Sequence, residues 1–333
     1  MKKNFYKYFI PIIILSFLGL LCIFCSKNIV SNYNIFLKKQ IIFLIVGVVL
    51  LFVFVKVNYV FIEKYSLLFY ILSIFLLVYV LIFGDVVNGS RSWINVFGFS
   101  IQPSEFVKII LLICFNKYIK DRYGIIKCIM LLIIPSILTF LQPDTGTVLF
   151  YLVIFFSIFI TIGIKRRYYI ILFGFIFILI GIYFYLYFFQ SKLFINIFGT
   201  SFFYRTDRII NFTNGSGYQL NNALIGIGNG GVFGNLDNYV IYIPEAITDF
   251  MFANSLTILG FIGGLFIILL FIILDFLLIK DINFSNKNKY FVIGLFGLFL
   301  YQQIQHIFMN IGLLPITGIT LPFISYGGSS LIS

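Results

Sequence analysis

Apolar residues come along this chain in long runs separated by short polar breaks. The first run goes from Phe9 to Cys25, and runs of similar length recur to the end of the sequence. Each is close to the ~20 residues that cross about 30 Å of hydrocarbon. A backbone facing lipid must satisfy its own hydrogen bonds, so the runs predict helices. They read as spans at 9–26, 40–55, 65–84, 104–119, 125–141, 146–164, 168–190, 249–279, 290–313 and 319–333. The expected fold is an all-α polytopic membrane protein of about ten transmembrane helices. A long outer loop, 191–248, joins helices 7 and 8, and residues 1–333 form a single integral membrane domain with an incomplete last helix.

Composition agrees with the pattern. Hydrophobic residues make up 61% of the 333 and charged residues 10%, where a soluble domain carries about a quarter charged. The Phe9–Cys25 run follows Lys2, Lys3 and Lys7 like a signal peptide, but no small-x-small cleavage site follows it, so it reads as a helix. Cys22, Cys25, Cys114 and Cys128 lie in or beside apolar runs and read as inert buried thiols.

Charge supplies the orientation. With the N-terminus in the cytoplasm, most of the 23 Lys and Arg residues fall inside, including Lys120, Arg122, Lys127, Arg166 and Arg167. Most of the 11 carboxylates, including Asp85, Glu105, Asp144, Asp207, Glu245 and Asp249, fall at or near the outer face. The net charge of +12 is scattered among loops rather than gathered in a stripe, which excludes a nucleic-acid partner. Two outer loops, 85–103 and 191–248, are longer than a connection needs. The second contains GYQLNNALIGIGNGGVFGN, apolar enough to fold back onto the bundle.

Five polar stretches punctuate the apolar background. In GSRSWINVFGFSIQPSEFVKI, Pro103 and Ser104 read as a helix start with Ser104 as N-cap, and Glu105 and Lys108 stand at i and i+3, close enough to pair. The pair reads as local charge compensation or as groups facing a cavity; Arg91 stands before it as a phosphate ligand. In LQPDTGTVLF, Asp144 reads as a helix cap. In FFYRTDRIINF, Arg205 and Arg208 make a basic patch, either a solvated loop or a phosphate site. In YIPEAITDFMFA, Thr248 or Asp249 can cap a helix; that explains one acid and leaves Glu245. In NIGLLPITGITLPFISYGGSS, prolines and glycines break the run, for close packing or to line a cavity. His306, the only histidine, is expected to have an interior hydrogen-bond partner rather than a metal; Asp275 has no assigned role.

RSWINVFGFSIQPSEFVK, QPDTGT, the YR…RI…F stretch, GYQLNNALIGIGNGGVFG, PEAITDFMFA and GLLPITGITLPFISYGGSS occur in the order found in the SEDS family (shape, elongation, division and sporulation) of RodA, FtsW and SpoVE proteins, which this chain resembles. RSWINVF and IFMNIG lean slightly toward RodA. The resemblance implies a ten-helix fold in the bacterial cytoplasmic (inner) membrane and peptidoglycan glycan-strand polymerisation from lipid II. Carried onto matching positions, it makes Asp249 the catalytic acid/base. Glu105 and Lys108 become an ion pair in the cavity, and Asp144, Arg205 and Arg208 supporting residues. It implies a class B penicillin-binding protein as partner, with other elongation or division complex proteins and membrane lipid. Ile247 stands where the family commonly has His, and ANSLTILGF replaces a common Glu-Glu pair.

The chemistry is consistent with that implication. A sugar 4-hydroxyl attacks an anomeric carbon bearing a lipid diphosphate, and a carboxylate takes the proton. Arginines stabilise the leaving group. The donor is α-linked and the product β, so a single inverting displacement suffices. A divalent cation, Mg or Mn, could assist, although no ligand spacing demands one. A flippase for lipid-linked precursors is the alternative; it would need alternating access, usually built on internal repeats, which the sequence lacks. A membrane scaffold for another enzyme is the third reading, and it has no use for a base.

Overall fold

The computed structural model describes residues 5–30, 32–87, 89–96, 98–163, 166–200, 202–203, 206–207, 210, 217–235, 242–284 and 288–333. Its helices are α1 (Phe5–Cys25), α2 (Tyr33–Lys56), α3 (Tyr59–Lys64), α4 (Ser66–Phe83), α5 (Pro103–Tyr118), α6 (Gly124–Leu141), α7 (Thr145–Thr161), α8 (Arg166–Phe189), α9 (Ser191–Phe198), α10 (Tyr218–Gly230), α11 (Met251–Phe284), α12 (Lys289–Asn310) and α13 (Gly328–Ile332). Among the described residues, α1, α2, α4, α6, α11 and α12 are long and apolar enough to cross a membrane, and the pair α8–α9, bent by 120°, makes up to seven. The helices α5 and α7 sit where spans were expected and, at 16 and 17 residues, are shorter than those six helices. The protein is therefore a multi-pass helical membrane protein.

One expectation needs correction. The 319–333 run is helical only from Gly328 to Ile332, and residues 311–327 form turns and extended chain. Pro315 and Pro322 lack the N–H that a helix needs. Gly312 and Gly318 take φ of 80° and 72°, outside the helical region. The 85–103 stretch, expected as an outer loop longer than a connection needs, carries a small antiparallel sheet, β1 (Asp85–Val87), β2 (Ser90–Val96) and β3 (Phe99–Ile101), in the order β1-β2-β3. Its register pairs Val86 with Arg91 and Asn95 with Ser100. The β2 strand is tied to the α6–α7 turn by the Arg91 N–H, which donates to the Gln142 carbonyl at 3.2 Å.

Among the described residues, two larger apolar clusters hold most of the helices, and two smaller ones flank them. Leu77, Val107, Leu111, Phe115, Tyr151, Ile154 and Leu298 join α4, α5, α7 and α12. Leu15, Cys22, Met251, Phe271, Leu321 and Ile324 join α1, α11 and the broken segment. Cys22, Cys25, Cys114 and Cys128 are free thiols; three are buried and Cys25 is partly so. Residues turned to the membrane, such as Ile45, Phe52, Phe75, Ile137 and Phe276, stay exposed. Association inside lipid relies on packing and hydrogen bonds rather than on hydrophobic exclusion. At one end of the bundle Asn116 of α5 supplies both, donating to the Tyr59 hydroxyl at 3.0 Å and accepting from the Phe291 N–H at 3.2 Å.

The glycine-rich part of the second loop folds back as expected. After α10 the chain packs backbone to backbone against a break in α11 at Gly260 (φ 72°). The freed amides of Phe261 and Ile262 donate to the carbonyls of Gly231 and Val232 at 2.9 and 3.2 Å, and the Asn235 N–H donates to the Thr257 carbonyl at 3.1 Å. The break in one helix is thus repaired by another segment, as a membrane interior requires. Only glycine fits this approach: a Cβ on Gly234 (φ 87°) would overlap the Ile258 carbonyl oxygen.

Gly234→Ala is therefore expected to destabilise the protein by about 1–3 kcal/mol. Gly89→Ala, at similar φ but with nothing within 4 Å, is expected to cost about 1 kcal/mol from backbone strain alone. Thermal unfolding in detergent compares them, and equal midpoints would count against the docking.

Candidate active site

Two polar groups flank the broken segment 311–327. The first grows from the starts of α5 and α7. Pro103 occupies the first turn of α5, preceded by Gln102 at the cap position with no side-chain cap bond. Ser104 is thus inside the helix rather than capping it. Its carbonyl accepts from the Tyr151 hydroxyl at 3.0 Å, and its hydroxyl points to Asp144 Oδ2 at 3.4 Å. One turn along, the Lys108 ammonium lies 2.6 Å from Glu105 Oε2, with both side chains buried. It also sits over the Phe150 ring, 4.4 Å from the centroid, a cation–π contact. Ser333 donates to Glu105 Oε2 at 3.4 Å, and Ser329 of α13 accepts the Gln102 N–H at 2.9 Å.

Asp144 is the N-cap of α7 as expected, with Oδ1 accepting the Thr147 N–H at 3.3 Å. Its Oδ2 accepts from Gln102 Nε2 at 2.6 Å. Burial raises its carboxyl above the ordinary range and the nearby Glu105 adds to the rise, against hydrogen bonds from Thr147 and Gln102 that lower it. Asp144 therefore joins the α5 and α7 starts and is engaged on both oxygens.

The second group is built around Asp249, in the turn that leads into α11. The amides of Thr248 and Phe250 both donate to the Glu245 carbonyl, at 3.2 and 3.0 Å. Glu245 takes φ 52°, a left-handed conformation unusual for a non-glycine residue. Its carboxylate is exposed and accepts from the Thr248 hydroxyl at 2.8 Å. Asp249 is partly buried, and its carboxylate accepts no hydrogen bond among the described residues. A Cβ on Gly318 would lie 3.7 Å from Asp249 Oδ2, so the broken segment passes directly beside it. Burial, and then the charge of Glu245, push the Asp249 carboxyl up to about 6.

The expected cap at Thr248 or Asp249 is not made. The first amides of α11 are met by α12 instead. The Phe252 N–H donates to His306 Nε2 at 3.3 Å and the Ala253 N–H to Asn310 Oδ1 at 2.9 Å. Asn310 Nδ2 grips the Asp249 carbonyl at 3.0 Å. The same face of α12 holds the broken segment: Gln302 donates to the Thr320 carbonyl, Gln305 to the Pro315 carbonyl and Thr317 hydroxyl, and His306 Nδ1 lies 2.7 Å from the Ile319 carbonyl. These residues were missed as a site. Their signal was the i, i+4 spacing of Gln302, His306 and Asn310, one polar stripe along an apolar helix.

The two groups meet through the segment. A Cβ on Gly146, two residues past Asp144, would lie 3.5 Å from the Thr317 carbonyl, while Gly318 faces Asp249. Arg91 is exposed on β2, whose backbone is fastened to the α6–α7 turn. Arg205 and Arg208 lie outside the described residues. Among the described residues no three His, Cys, Asp or Glu side chains gather.

The buried ion pair makes a thermodynamic prediction. Lys108→Met strands the Glu105 carboxylate and is expected to cost about 3–5 kcal/mol. Adding Glu105→Gln to Lys108→Met removes the stranded charge and should restore at least half of the loss in thermal unfolding. A double variant no more stable than the single would refute charge compensation.

Comparison with known proteins agrees with this architecture. The model of the cell cycle protein family of FtsW, RodA and SpoVE matches residues 6–333. The probable peptidoglycan glycosyltransferase FtsW of Wigglesworthia glossinidia brevipalpis is 32% identical, covering 98% of this chain and 89% of that protein. Stage V sporulation protein E of Bacillus subtilis (strain 168) is 33% identical, covering 94% and 89%. Among solved structures, a chain of a peptidoglycan synthase complex, described for its coordination of polymerization and crosslinking, superposes with a TM-score of 0.79 at 23% identity, covering 98% of this chain and 93% of that one. Thermus thermophilus RodA superposes with a TM-score of 0.70 at 23% identity, covering 98% and 91%. The lean toward RodA rests on two short stretches alone. By the family model and by these relatives, the chain belongs to the FtsW/RodA/SpoVE family of cell cycle proteins, the SEDS family that its motifs resemble.

Proposed function

We propose that this chain polymerises glycan strands from lipid II by inverting glycosyl transfer, with Asp249 as general base. Its family and the names of its relatives make it a peptidoglycan glycosyltransferase; the substrate and the residue roles are the proposal. The acceptor 4-hydroxyl attacks the anomeric carbon of the donor. The new C–O bond forms as the bond to the lipid diphosphate breaks, the hydroxyl proton passes to the Asp249 carboxylate, and the diphosphate leaves with the electron pair. Arg91, Arg205 and Arg208 are assigned to the diphosphate as cations on outer segments. Glu245 orients the turn and helps keep the Asp249 carboxyl basic. Glu105, Lys108 and Asp144 hold the facing wall.

One observation supports Asp249 above the other acids. Glu105 is paired with Lys108, Asp144 is spent on Gln102 and the α7 cap, and Glu245 is exposed and engaged by Thr248. Asp249 alone among these is partly buried with a carboxylate that no described group engages. A base needs an unengaged lone pair and a proton affinity near the working pH. A class B penicillin-binding protein is the proposed partner, within an elongation or division complex in the inner membrane; the support is the likeness to a chain of a peptidoglycan synthase complex described for its coordination of polymerization and crosslinking.

Asp249→Asn keeps the shape and removes the base. With purified protein and labelled lipid II it should abolish polymer while leaving folding intact; leaflet transfer without polymer in the parent would favour a flippase instead. The base must be ionised, so the parent rate should rise with pH through about 6 and level off above it. The same raised carboxyl weakens the fold. Its folded value lies above its ordinary value of 3.8, so its contribution to stability is fully present below about pH 4 and is lost as pH rises through about 6. At pH 8, Asp249→Asn should therefore be more stable than the parent, by on the order of 1–3 kcal/mol. A lower melting temperature for the variant at pH 8 would contradict the assigned proton affinity.

Orientation has its own check. In a Cys-free background, Val87→Cys and Tyr218→Cys should label from outside the cell and Tyr123→Cys only after permeabilisation. The reverse pattern would place the N-terminus outside.

A further inference from the structure

The imidazole of His306 is fully buried between two chain segments that cannot both be served by either ring nitrogen alone. On one side, the Phe252 N–H points at Nε2 from 3.3 Å. An amide N–H can only donate, so Nε2 must be the unprotonated, accepting nitrogen. On the other side, the Ile319 carbonyl lies 2.7 Å from Nδ1. A carbonyl can only accept, so Nδ1 must carry the proton. The two contacts together allow one state of the ring: neutral, protonated on Nδ1. An imidazolium would have no acceptor for Phe252, and the other tautomer would face N–H against N–H and a lone pair against a carbonyl.

The two segments joined by this ring meet at Asp249. Phe252 is three residues after it, in the first turn of α11. Ile319 follows Gly318, whose Cα side faces Asp249 Oδ2. Asn310, one turn further along α12, holds the next amide, at Ala253, and the carbonyl of Asp249 itself. We infer that His306 is a positioning residue for Asp249: as the neutral Nδ1–H tautomer it fixes the distance between the turn that carries the carboxylate and the broken segment beside it. By taking over the cap of α11, it also releases the Asp249 carboxylate from the role that a helix N-terminus would otherwise give it. The inference rests on Asp249 being the proton acceptor, but the state of the ring can be read without any activity.

His306 is the only histidine in the chain, so [15N]histidine labelling of this 333-residue chain in nanodiscs gives a single pair of ring nitrogens. The expected spectrum shows a protonated Nδ1 and an unprotonated, hydrogen-bonded Nε2. A ring protonated at Nε2, or at both nitrogens, at neutral pH would overturn the inference. Kinetics supply the second readout. His306→Leu removes both contacts and should lower kcat for lipid II polymerisation by roughly tenfold or more, with KM changed by less than about twofold, because it moves the base and not the binding groups. His306→Gln, which can still accept from Phe252, should recover most of kcat. Parent-level kcat in the Leu variant, or a loss confined to KM, would refute the positioning role. If the Leu variant does not fold, the Gln variant and the spectrum decide: a folded Gln protein as inactive as Asp249→Asn would overturn the inference. Polymerisation at the parent rate by Asp249→Asn refutes the base instead, and leaves the ring state as an independent result.

Discussion

A membrane interior supplies no water to a broken backbone, and much of this structure follows from that constraint. The chain breaks helical geometry where the chemistry is proposed, between α12 and α13 and at the entrance to α11. Each break frees amides and carbonyls that cost several kcal/mol if left bare in hydrocarbon. The polar stripe of Gln302, Gln305, His306 and Asn310 meets them from a neighbouring helix. Because these side chains are anchored on a regular helix, the irregular segments acquire the rigidity of that helix. The same logic recurs in α11 at Gly260, where the partner is the backbone of residues 231–235.

The acids are divided by environment. Glu105 lies in the protein interior with a lysine within bonding distance, so its charge is compensated and its hydrogen-bonding capacity used. Asp144 spends its oxygens on a cap and an amide. Asp249 is relieved of capping by α12, and burial first, then the charge of Glu245, raise its affinity for a proton. One residue type thus serves as structural cap at position 144 and as candidate base at position 249. The difference lies in which neighbours reach the helix end first.

Family membership and local geometry carry different parts of the functional reading. The FtsW relatives supply the reaction class. The geometry ranks the carboxylates and ties the Asp249 turn to the wall beside it. The broken segment, with Thr317 against Gly146 and Gly318 against Asp249, lies beside both polar groups.

Hydrophobic periodicity alone determined that the chain is a polytopic helical membrane protein, because span length is set by bilayer thickness and is written in local composition. It also located the ends of most spans, while the spacing of polar residues and glycines located the Glu105–Lys108 pair at i and i+3, the Asp144 cap and the fold-back of the glycine-rich loop. These are short-range matters, readable from spacing and from the absence of a Cβ. The sequence did not reveal the small sheet at 85–101 or the loss of helix over 319–327. Nor did it show that the cap of α11 comes from residues more than fifty positions away. Those depend on which segments meet in space. A Ser, Thr or Asp beside a helix start is a sound local choice of cap, but His306 and Asn310 reach the Phe252 and Ala253 amides only once α12 packs against α11. Hydrogen-bond partners for a broken backbone in lipid are assigned by tertiary packing, and with that assignment the Asp249 carboxylate accepts no hydrogen bond among the described residues.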